Sequence, residues 1–360
     1  MRDVYFIDPR AEVTEPEKWY QPQLSLTKKL KKLIHESGIL DSISRGDLVA
    51  VKTHFGDRGT TRVIRSVFIR TVVDSIREAG GRPFVTETTG LGLIKLRSTA
   101  IGRLQIAEEN GFTSQTLNAP IIIADGLLGL DFVEVDVNGR YLDKVYVAKS
   151  IAECDAVVCC THFKLHMQAG IGGSIKNVGV GCVAKPSKFD VHANNFPRIN
   201  EKCTRCGKCV KICPANAIID FKINTERCLK CTGCYEICED EAIDIDWSES
   251  IEIVYKIVEC AKGVLKVNKN FSYINFLLDV TPHCDCHPFS DVPVTPDIGI
   301  LASKDIVAID NASIEMYRKA PKIGFLPRNK FWEWTKPYEM IEYAEKIGLG
   351  VRSYRVMRIQ

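Results

Sequence analysis

The sequence has 360 residues, of which 45% are hydrophobic and 26% charged, and its formal net charge is +3. These values are ordinary for a soluble globular protein, and the length predicts two or three domains. The charge is too small to indicate a nucleic-acid partner, and no stretch approaches the ~20 apolar residues that span a membrane. The first residues include acids and no long apolar run, so we expect no signal peptide and a cytoplasmic protein.

The first third of the chain alternates strand-like and helix-like segments. Residues 48–52 predict a short apolar strand, residues 63–79 have apolar side chains at helical spacing, and residues 83–88 predict the next strand. The pair Gly80-Gly81 is expected to end the helix, because glycine readily adopts the backbone conformations found at helix ends. This order is typical of a βαβ unit and predicts a parallel sheet.

The same alternation continues toward the middle of the chain. Residues 100–110 predict a helix and residues 120–124 a strand. Residues 133–137 and 143–148 predict a hairpin that turns through Asn138-Gly139. Residues 156–160 predict a buried strand that leads into a polar, glycine-rich loop.

Cysteines cluster in the segment that follows. Fifteen cysteines are many for a cytosolic chain, where disulfides are disfavoured, so the clustered ones indicate metal ligands. Eight of them form two near-repeats, each with the spacing C-x2-C-x2-C-x3-C. The first repeat contains Cys203, Cys206, Cys209 and Cys213, and the second contains Cys228, Cys231, Cys234 and Cys238.

This spacing predicts two [4Fe–4S] clusters. A short loop can supply three thiolates to one cube, and the fourth iron needs a remote ligand. In two-cluster ferredoxins the last cysteine of each run binds the other cluster, so we expect Cys238 to complete the first set and Cys213 to complete the second. Structural zinc does not require this run twice over, and disulfides would need an oxidising compartment.

Strands and helices resume after the cysteine-rich segment. Helices are predicted at residues 251–262, where Gly263 ends the helix, and at 306–317 and 338–347, with strands at 273–279 and 297–301. We therefore expect an α/β fold, in which residues 1–198 and 247–360 form one discontinuous domain with a mixed or parallel sheet. Residues 199–246 are expected to form an inserted α+β ferredoxin-like domain that holds the two [4Fe–4S] clusters.

A second group of polar residues follows the predicted strand at 156–160. His162, Lys164 and His166 alternate along the chain, so they would share one face of an extended segment. The glycine-rich loop 170–182 comes next, at the carboxyl end of a strand, where open α/β sheets bind ligands. It lacks the glycine pattern of dinucleotide-binding and P-loop motifs. The predicted catalytic residues are His162, Lys164, His166 and Lys176, and the alternative is a hydrogen-bonded loop without catalytic function.

Positive charge gathers at the same predicted edge of the sheet. Lys52 and His54 follow another strand and would face one side. Together with Lys164, His162 and Lys176 they predict a cationic pocket for a small anionic substrate. The alternative is a surface loop.

Five residues with metal-binding side chains stand in a row at 283–287, with the order His-Cys-Asp-Cys-His. Cys284 and Cys286 are predicted to chelate one ion or to cap one face of a cluster. With Cys182 and His283 they form the predicted ligand set of a third metal centre. The alternative is that the two thiols are buried core groups and the histidines face solvent.

Nearly the whole chain resembles the iron–sulfur proteins of the family catalogued as domain of unknown function 362. The matching stretches are residues 51–56, 80–88, 124–126, 161–166, 172–182, 281–286 and 297–303, together with the eight-cysteine segment. Val180 stands where the family usually has methionine. The resemblance implies an α/β domain with a two-cluster ferredoxin insert, and a single site shared by the glycine loop and the Cys-Asp-Cys motif. It implies no particular reaction.

Three hypotheses for the function follow. In the first, the protein is a redox enzyme or its electron-delivering component, and the clusters feed electrons to a site between the loop 162–182 and the motif 284–286. In the second, it is a ferredoxin-like carrier that docks to a redox partner protein. In the third, it is a non-enzymatic metal or cluster scaffold, or a redox sensor.

Overall fold

A computed structural model describes residues 1–13, 15–323 and 331–359. The strands are β1 Arg2–Ile7, β2 Leu48–Lys52, β3 Arg82–Glu87, β4 Ile121–Ile123, β5 Phe132–Asp136, β6 Lys144–Ala148, β7 Ala156–His162, β8 Lys164–His166, β9 Gly170–Gly172, β10 Arg198–Ile199, β11 Ile218–Ile219, β12 Lys222–Ile223, β13 Ile243–Asp244, β14 Phe271–Leu277, β15 Gly299–Ser303 and β16 Tyr354–Arg358. The helices are α1 Leu26–Glu36, α2 Ser66–Glu78, α3 Ala100–Glu109, α4 Ser114–Leu117, α5 Lys149–Glu153, α6 Ser174–Gly179, α7 Lys185–His192, α8 Lys208–Ile212, α9 Gly233–Ile237, α10 Ser250–Val267, α11 Ile306–Lys319 and α12 Pro337–Lys346.

Eight strands form one mixed sheet in the order β16-β1-β15-β14-β7-β2-β3-β4. The strands β14, β7, β2, β3 and β4 pair in parallel, whereas β15 is antiparallel to both β14 and β1. The predicted βαβ unit is confirmed, because β2 and β3 are parallel neighbours joined by α2. The α/β class with a mixed sheet is therefore confirmed.

The sheet is buried on both faces, as parallel strands in α/β proteins usually are. Successive residues of β2 point to opposite sides: Val49 and Val51 belong to the core that includes α1 and α2, and Ala50 belongs to the core that includes α10 and α11. This arrangement leaves the ends of the strands as the places where polar side chains can collect.

The predicted hairpin is confirmed as β5 and β6, which pair antiparallel. The prediction that Gly263 ends a helix is wrong, because α10 continues through Gly263 to Val267. A Cβ atom at this glycine would lie 2.7 Å from Cβ of Val145 in β6. The glycine therefore permits the close approach of helix and hairpin, which the chain order alone did not indicate.

The cysteine-rich segment contains two small antiparallel pairs and two short helices. β10 pairs with β13, β11 pairs with β12, and α8 packs against α9. An isolated bridge between Ala193 and Trp247 holds the chain where it enters and leaves this segment. In the described part of the chain, no helix combines the length and the apolar composition that a membrane crossing requires.

Candidate functional site

A cavity of about 350 Å³ opens at the carboxyl ends of β2, β3 and β7. These strands are parallel neighbours, so the residues that follow them meet at one edge of the sheet, the usual ligand site of open α/β sheets. Five lysine or arginine side chains line it, against one carboxylate among the described residues. The cavity is therefore cationic. These side chains are Arg97, Arg103, Lys164, Lys176 and Lys188, and the carboxylate is Glu87.

Glu87 lies at the end of β3, buried among three basic side chains. Its carboxylate accepts hydrogen bonds from Lys52 at 3.0 Å and from Arg103 at 2.5 Å, and His54 Nδ1 lies 2.5 Å away. Burial acts to raise the pKa of Glu87, but Lys52, His54 and Arg103 together hold this pKa well below its usual range. The charged carboxylate therefore fixes the basic groups in place. Glu87 was not predicted as a site residue from the sequence, although a carboxylate at the end of an apolar strand is a signal.

Asp285 is a second buried carboxylate, and it holds the Cys-Asp-Cys motif against the sheet. His162 Nδ1 lies 2.9 Å from its Oδ2 atom, and Lys164 Nζ lies 3.0 Å from the same oxygen. Burial acts against ionisation, but His162 and then Lys164 lower the pKa of Asp285 below its usual range. The three side chains thus form an ion-pair network with no exposed member.

His162 has hydrogen-bond acceptors at both ring nitrogens. Besides the Asp285 carboxylate at Nδ1, the carbonyl oxygens of Leu278 and Asp279 lie 3.0 and 3.1 Å from Nε2. Protein oxygens therefore face both ring nitrogens, and neither nitrogen is open to a metal ion or a substrate. His162 thus contacts both ends of the 278–285 segment, and the catalytic role predicted for it stays a prediction.

Three further side chains form a compact group at the cavity wall. The ligand atoms of His166, Cys284 and Cys286 all lie within 4.8 Å of one another, a spacing that could hold a metal ion. The histidine was predicted as a catalytic residue and the two cysteines as metal ligands. A hydrogen bond with Cys284 lowers the pKa of the Cys286 thiol to about 6, against the effect of burial, and Lys176 acts in the same direction.

The hydrogen bonds of His166 define its tautomer. Its Nδ1 atom accepts from the backbone N–H groups of Gln168 at 3.1 Å and Ala169 at 3.0 Å. Burial lowers the pKa of His166 to about 4, so the ring is neutral near pH 7. A neutral ring with an accepting Nδ1 carries its proton on Nε2, which lies 3.9 Å from Cys286 Sγ. The donor set therefore fits a metal at the two sulfurs but not at Nε2 of this tautomer.

The other predicted ligands lie elsewhere. His283 stacks on Trp332, with ring centroids 5.4 Å apart, and it is not part of the compact group. The Cys182 thiol is fully buried, burial raises its pKa, and its sulfur lies 3.9 Å from the carbonyl oxygen of Asn177. The structure brings together Cys284 and Cys286 from the predicted third metal centre and places His166 beside them instead of His283 and Cys182.

Two lysines present charge to the cavity. Lys176, in α6, has no hydrogen bond or ion pair with any residue in the described ranges, so its ammonium group is available to a ligand. Lys188, in α7, donates to Thr88 Oγ1 at 2.6 Å and to the carbonyl oxygen of Thr89. Burial lowers the pKa of Lys188 to about 8, close to the range in which a lysine can gain or lose a proton. Lys188 was not predicted from the sequence.

The eight clustered cysteines line two separate small cavities. The first cavity is lined by Cys203, Cys206, Cys209 and Cys238, and the second by Cys213, Cys228, Cys231 and Cys234. Each cavity thus receives three cysteines from one repeat and the last cysteine of the other repeat. The backbone N–H groups of Ala217 and Ala242 point at the exchanged sulfurs, at 3.2 Å from Cys213 Sγ and 3.3 Å from Cys238 Sγ.

Left-handed backbone conformations recur at matching places in the two repeats. The residues on either side of Cys206 have φ angles of +57° at Arg205 and +76° at Gly207, and those beside Cys231 have +52° at Lys230 and +60° at Thr232. Such angles are uncommon outside glycine, so their repetition indicates a required local path. The path curls each loop around its own cavity.

One loop connects the second cysteine cavity to the cationic cavity. Gly92 N–H donates to the carbonyl oxygen of Cys231 at 2.9 Å. Leu93 lines the cysteine cavity, and Leu91, two residues away, lines the cationic cavity. The Glu236 carboxylate accepts hydrogen bonds from the backbone N–H groups of residues 93–95 at 2.6, 2.6 and 3.0 Å. The two cavities therefore share a wall that is fixed by backbone hydrogen bonds.

Similar solved structures include the lactate racemase apoprotein from Thermoanaerobacterium thermosaccharolyticum, with 11% identity and a TM-score of 0.36 over 69% of this chain and 49% of that one. Another is a crystal structure of a Thermotoga maritima protein, with 11% identity and a TM-score of 0.42 over 78% of this chain and 55% of that one. This chain thus spans about half the length of each. No curated protein matches the sequence. The family model described as domain of unknown function (DUF362) matches residues 49–315, and the chain belongs to that family.

Proposed function

We propose that the protein is an iron–sulfur redox enzyme that uses two [4Fe–4S] clusters to move electrons into the cationic cavity. Residues 199–246 would be the inserted ferredoxin-like domain, and residues 1–198 and 247–360 the discontinuous α/β domain. One observation carries the proposal: the eight clustered cysteines divide into two groups of four, with the last cysteine of each repeat exchanged between the groups. Two cubane clusters held by a repeated C-x2-C-x2-C-x3-C run need this division.

The surroundings of the sulfurs also fit such clusters. The N–H groups of Ala217 and Ala242 stabilise negative charge on the sulfurs, and the isoleucines Ile212, Ile218 and Ile243 line the cavities. Hydrogen bonds to the sulfurs and an apolar shell are the means by which proteins set cluster potentials. The clusters, when bound, would supply one-electron transfer, and the chain would position them.

The shared wall supports electron delivery to the cationic cavity. The hydrogen bond from Gly92 to Cys231 joins a predicted cluster ligand to the loop whose Leu91 lines that cavity. The route from Cys231 to the cavity thus passes through one hydrogen bond and the backbone of Gly92 and Leu91. A pure carrier would not need its cluster to lie against a basic cavity.

A small anion is the substrate class that fits the cavity. The lysine and arginine side chains in the lining outnumber the single carboxylate, Glu87. That carboxylate is already paired with Lys52 and Arg103. Lys176 has no partner in the part of the chain that the structure describes. A cavity of about 350 Å³ suits a small molecule. We therefore propose that a small anionic substrate is reduced or oxidised next to Cys284 and Cys286.

A second function, a ferredoxin-like carrier for a redox partner protein, is supported by one observation. Cys206, a predicted ligand of the first cluster, is exposed at the surface. In the carrier hypothesis this edge would exchange electrons with the partner in both directions. In the enzyme hypothesis it is the entry point, and a donor protein docks there.

Anaerobic iron, sulfide and total-metal analysis tests the cluster assignment. We expect about eight irons and eight sulfides per chain. The variant Cys231→Ala should lose about half of both, whereas the variant Cys154→Ala, at a buried cysteine outside the two groups, should keep the full content. Stoichiometric zinc without acid-labile sulfide would overturn the proposal.

The enzyme and carrier hypotheses separate in the variant Lys176→Met. Electron transfer from reduced protein to an artificial acceptor such as cytochrome c should be unchanged, because Lys176 lines the cationic cavity and not the cavity to which the exposed Cys206 belongs. Turnover of an anionic substrate should fall. If reduction of every physiological acceptor were unaffected by Lys176→Met, the carrier hypothesis would replace the enzyme hypothesis.

A further inference from the structure

The Cys284–Cys286 segment is fixed so that both thiols face the cationic cavity. The buried Asp285 carboxylate is held by His162 and Lys164, and its backbone oxygen accepts from Asp57 N–H at 2.8 Å. Arg97 donates to the carbonyl oxygen of Cys286 at 2.9 Å, and His287 N–H donates to that of Cys284 at 3.0 Å. Hydrogen bonds to the backbone, or the side chain of Asp285, therefore anchor every residue of the motif. Cys284 and Cys286 are the two residues of the motif that line the cavity.

The two sulfurs are close enough to react with each other. They lie within 4.8 Å, and the backbone N–H of Cys286 points at Cys284 Sγ from 3.4 Å. A disulfide needs an S–S distance of ~2.0 Å, which rotation of the two side chains can reach when the Cα atoms are ~4.4–6.8 Å apart. Cysteines separated by one residue in a turn meet that requirement.

His166 favours thiol chemistry over metal binding at this place. Its Nδ1 accepts two backbone N–H groups, from Gln168 and Ala169, so the ring proton sits on Nε2 and faces Cys286 Sγ at 3.9 Å. A metal ligand would need a lone pair on that nitrogen. As it stands, Nε2–H is a donor that stabilises negative charge on the Cys286 sulfur.

We propose that Cys284 and Cys286 are a redox-active dithiol, which receives electrons from the two clusters and passes them to the bound substrate. This inference rests on the proposed function for its electron supply and adds the acceptor within the cavity. No other pair of thiols faces the cavity among the described residues, since the remaining cysteines outside the two groups are buried and absent from its lining.

The half-reactions balance. The Cys284–Cys286 disulfide takes up two electrons, one at a time, and two protons from solvent; its S–S bond breaks and two S–H groups form. The electrons originate from a low-potential one-electron donor protein, and the clusters, when held by the two cysteine groups, would conduct them to the disulfide. The dithiol then gives two electrons and two protons to an anionic two-electron acceptor, and the S–S bond re-forms.

The two cysteines have different roles in this cycle. Cys286 is partly accessible and stands beside His166, whereas Cys284 is 2% exposed. Thiol–disulfide chemistry starts at the accessible thiolate. Cys286 is therefore the sulfur that reacts with the substrate. Cys284 then forms the disulfide bond with Cys286.

Redox-poised alkylation tests the proposal. The holoprotein is equilibrated without oxygen at a series of potentials, quenched in acid, alkylated, digested, and the peptide that contains residues 284–286 is weighed. At low potential the peptide should carry two alkyl groups. At high potential it should carry none, and its mass should be two hydrogen atoms below that of the unmodified dithiol peptide. In Cys284→Ser and Cys286→Ser the remaining thiol should be alkylated at every potential, whereas the control Cys154→Ser should behave like the wild type.

The iron and sulfide content, measured on the same samples, separates this inference from the proposed function. Full cluster content with two alkylated thiols at every potential would overturn the dithiol and leave the proposed function standing. A stoichiometric metal that is lost in Cys286→Ser would also overturn it, in favour of a third metal centre. A disulfide in a chain without iron would overturn the proposed function and the electron supply from the clusters, and would leave only the redox-active dithiol standing. In Cys231→Ala, a viologen radical should reduce the disulfide at least tenfold more slowly than in the wild type.

Discussion

The backbone N–H of Gly92 donates a hydrogen bond to the carbonyl oxygen of Cys231 at 2.9 Å. This contact joins the turn after β3, which opens on the cationic cavity, to the second cysteine group. Gly92 has a φ angle of +95°, and a Cβ atom there would lie 2.5 Å from Glu236 Oε2, so a side chain would be strained and crowded at this contact. In the proposed function, electrons reach the cationic cavity through this contact.

Glu236→Gln should loosen that contact without loss of iron. The carboxylate accepts three backbone N–H groups of residues 93–95, and an amide oxygen accepts them more weakly while its NH₂ group faces donors. We expect faster hydrogen exchange at residues 92–95, by about tenfold or more. The control Glu239→Gln removes an exposed ion pair with Lys208 and should leave exchange at residues 92–95 unchanged. Equal exchange in the wild type and Glu236→Gln would contradict the role of the carboxylate.

Asp285→Asn should destabilise the fold by about 3–5 kcal/mol, because it leaves the buried Lys164 ammonium group without its charged partner and weakens the contact with the buried His162 ring. The pKa of Asp285 is lowered in the folded protein, so its contribution is complete above the unfolded pKa of ~3.9 and is lost as the pH falls through the folded pKa. The stability gap between wild type and variant should therefore narrow only in acid.

Denaturant unfolding of both proteins between pH 7 and pH 3 measures this gap. Asp291→Asn, at an exposed carboxylate in the same stretch of chain, is the matched control and should change stability by less than ~0.5 kcal/mol. If Asp285→Asn left the free energy of unfolding at pH 7 unchanged, the buried contacts of Asp285 would not contribute to stability.

Lys176→Met should weaken the binding of a small dianion. The ammonium group lines the cavity and has no partner in the described part of the chain, so its charge is free to meet a ligand. A charge-assisted hydrogen bond contributes about 1.5–3 kcal/mol, which corresponds to a loss of roughly ten- to hundredfold in affinity. Calorimetric titration with sulfate measures it. Lys149→Met, at an exposed lysine, is the control, and an equal loss in both variants would show only a general charge effect.

Sulfate binding should also weaken as the pH rises through about 8. Burial lowers the pKa of Lys188 to about 8; Asp125 and Glu87 act to raise it, and Arg103 and Lys185 to lower it further. Lys188 is charged below that pH and neutral above it, so affinity should be constant below pH 7 and fall a few-fold by pH 9. Lys188→Met should bind more weakly and lose this pH dependence. A wild-type affinity that is flat from pH 7 to 9 would contradict the role of Lys188.

Much of the fold was predictable because its signals are local. Apolar runs such as 48–52 and the βαβ order predicted parallel strands, and turn residues at Asn138-Gly139 predicted the hairpin. The predicted end of α10 was wrong, because the sequence alone does not distinguish a glycine that permits close packing from one that ends a helix. The edge strand β16 was not predicted, since it is short and only partly buried.

The candidate site was predictable only in part, because its hydrogen bonds join distant segments. Strand ends in the sequence located His162, Lys164 and Lys52 at one edge. The partners that neutralise them, Glu87 and Asp285, come from segments more than 30 residues away, and spacing carries no information about them. His283 was predicted as a metal ligand and His166 as a catalytic residue, but the structure places His166 beside Cys286 and stacks His283 on Trp332. Neighbours along the chain did not indicate this exchange.

The most direct test of the central claim is low-temperature EPR of the anaerobic protein after reduction with dithionite. We expect the broadened spectrum of two magnetically interacting [4Fe–4S] clusters, because Cys209 in α8 and Cys213, the residue that follows α8, are four residues apart and belong to different cysteine groups. Cys231→Ala should reduce it to the sharper signal of one isolated cluster. The absence of any iron–sulfur signal from reduced, folded, full-length protein would contradict the proposed function.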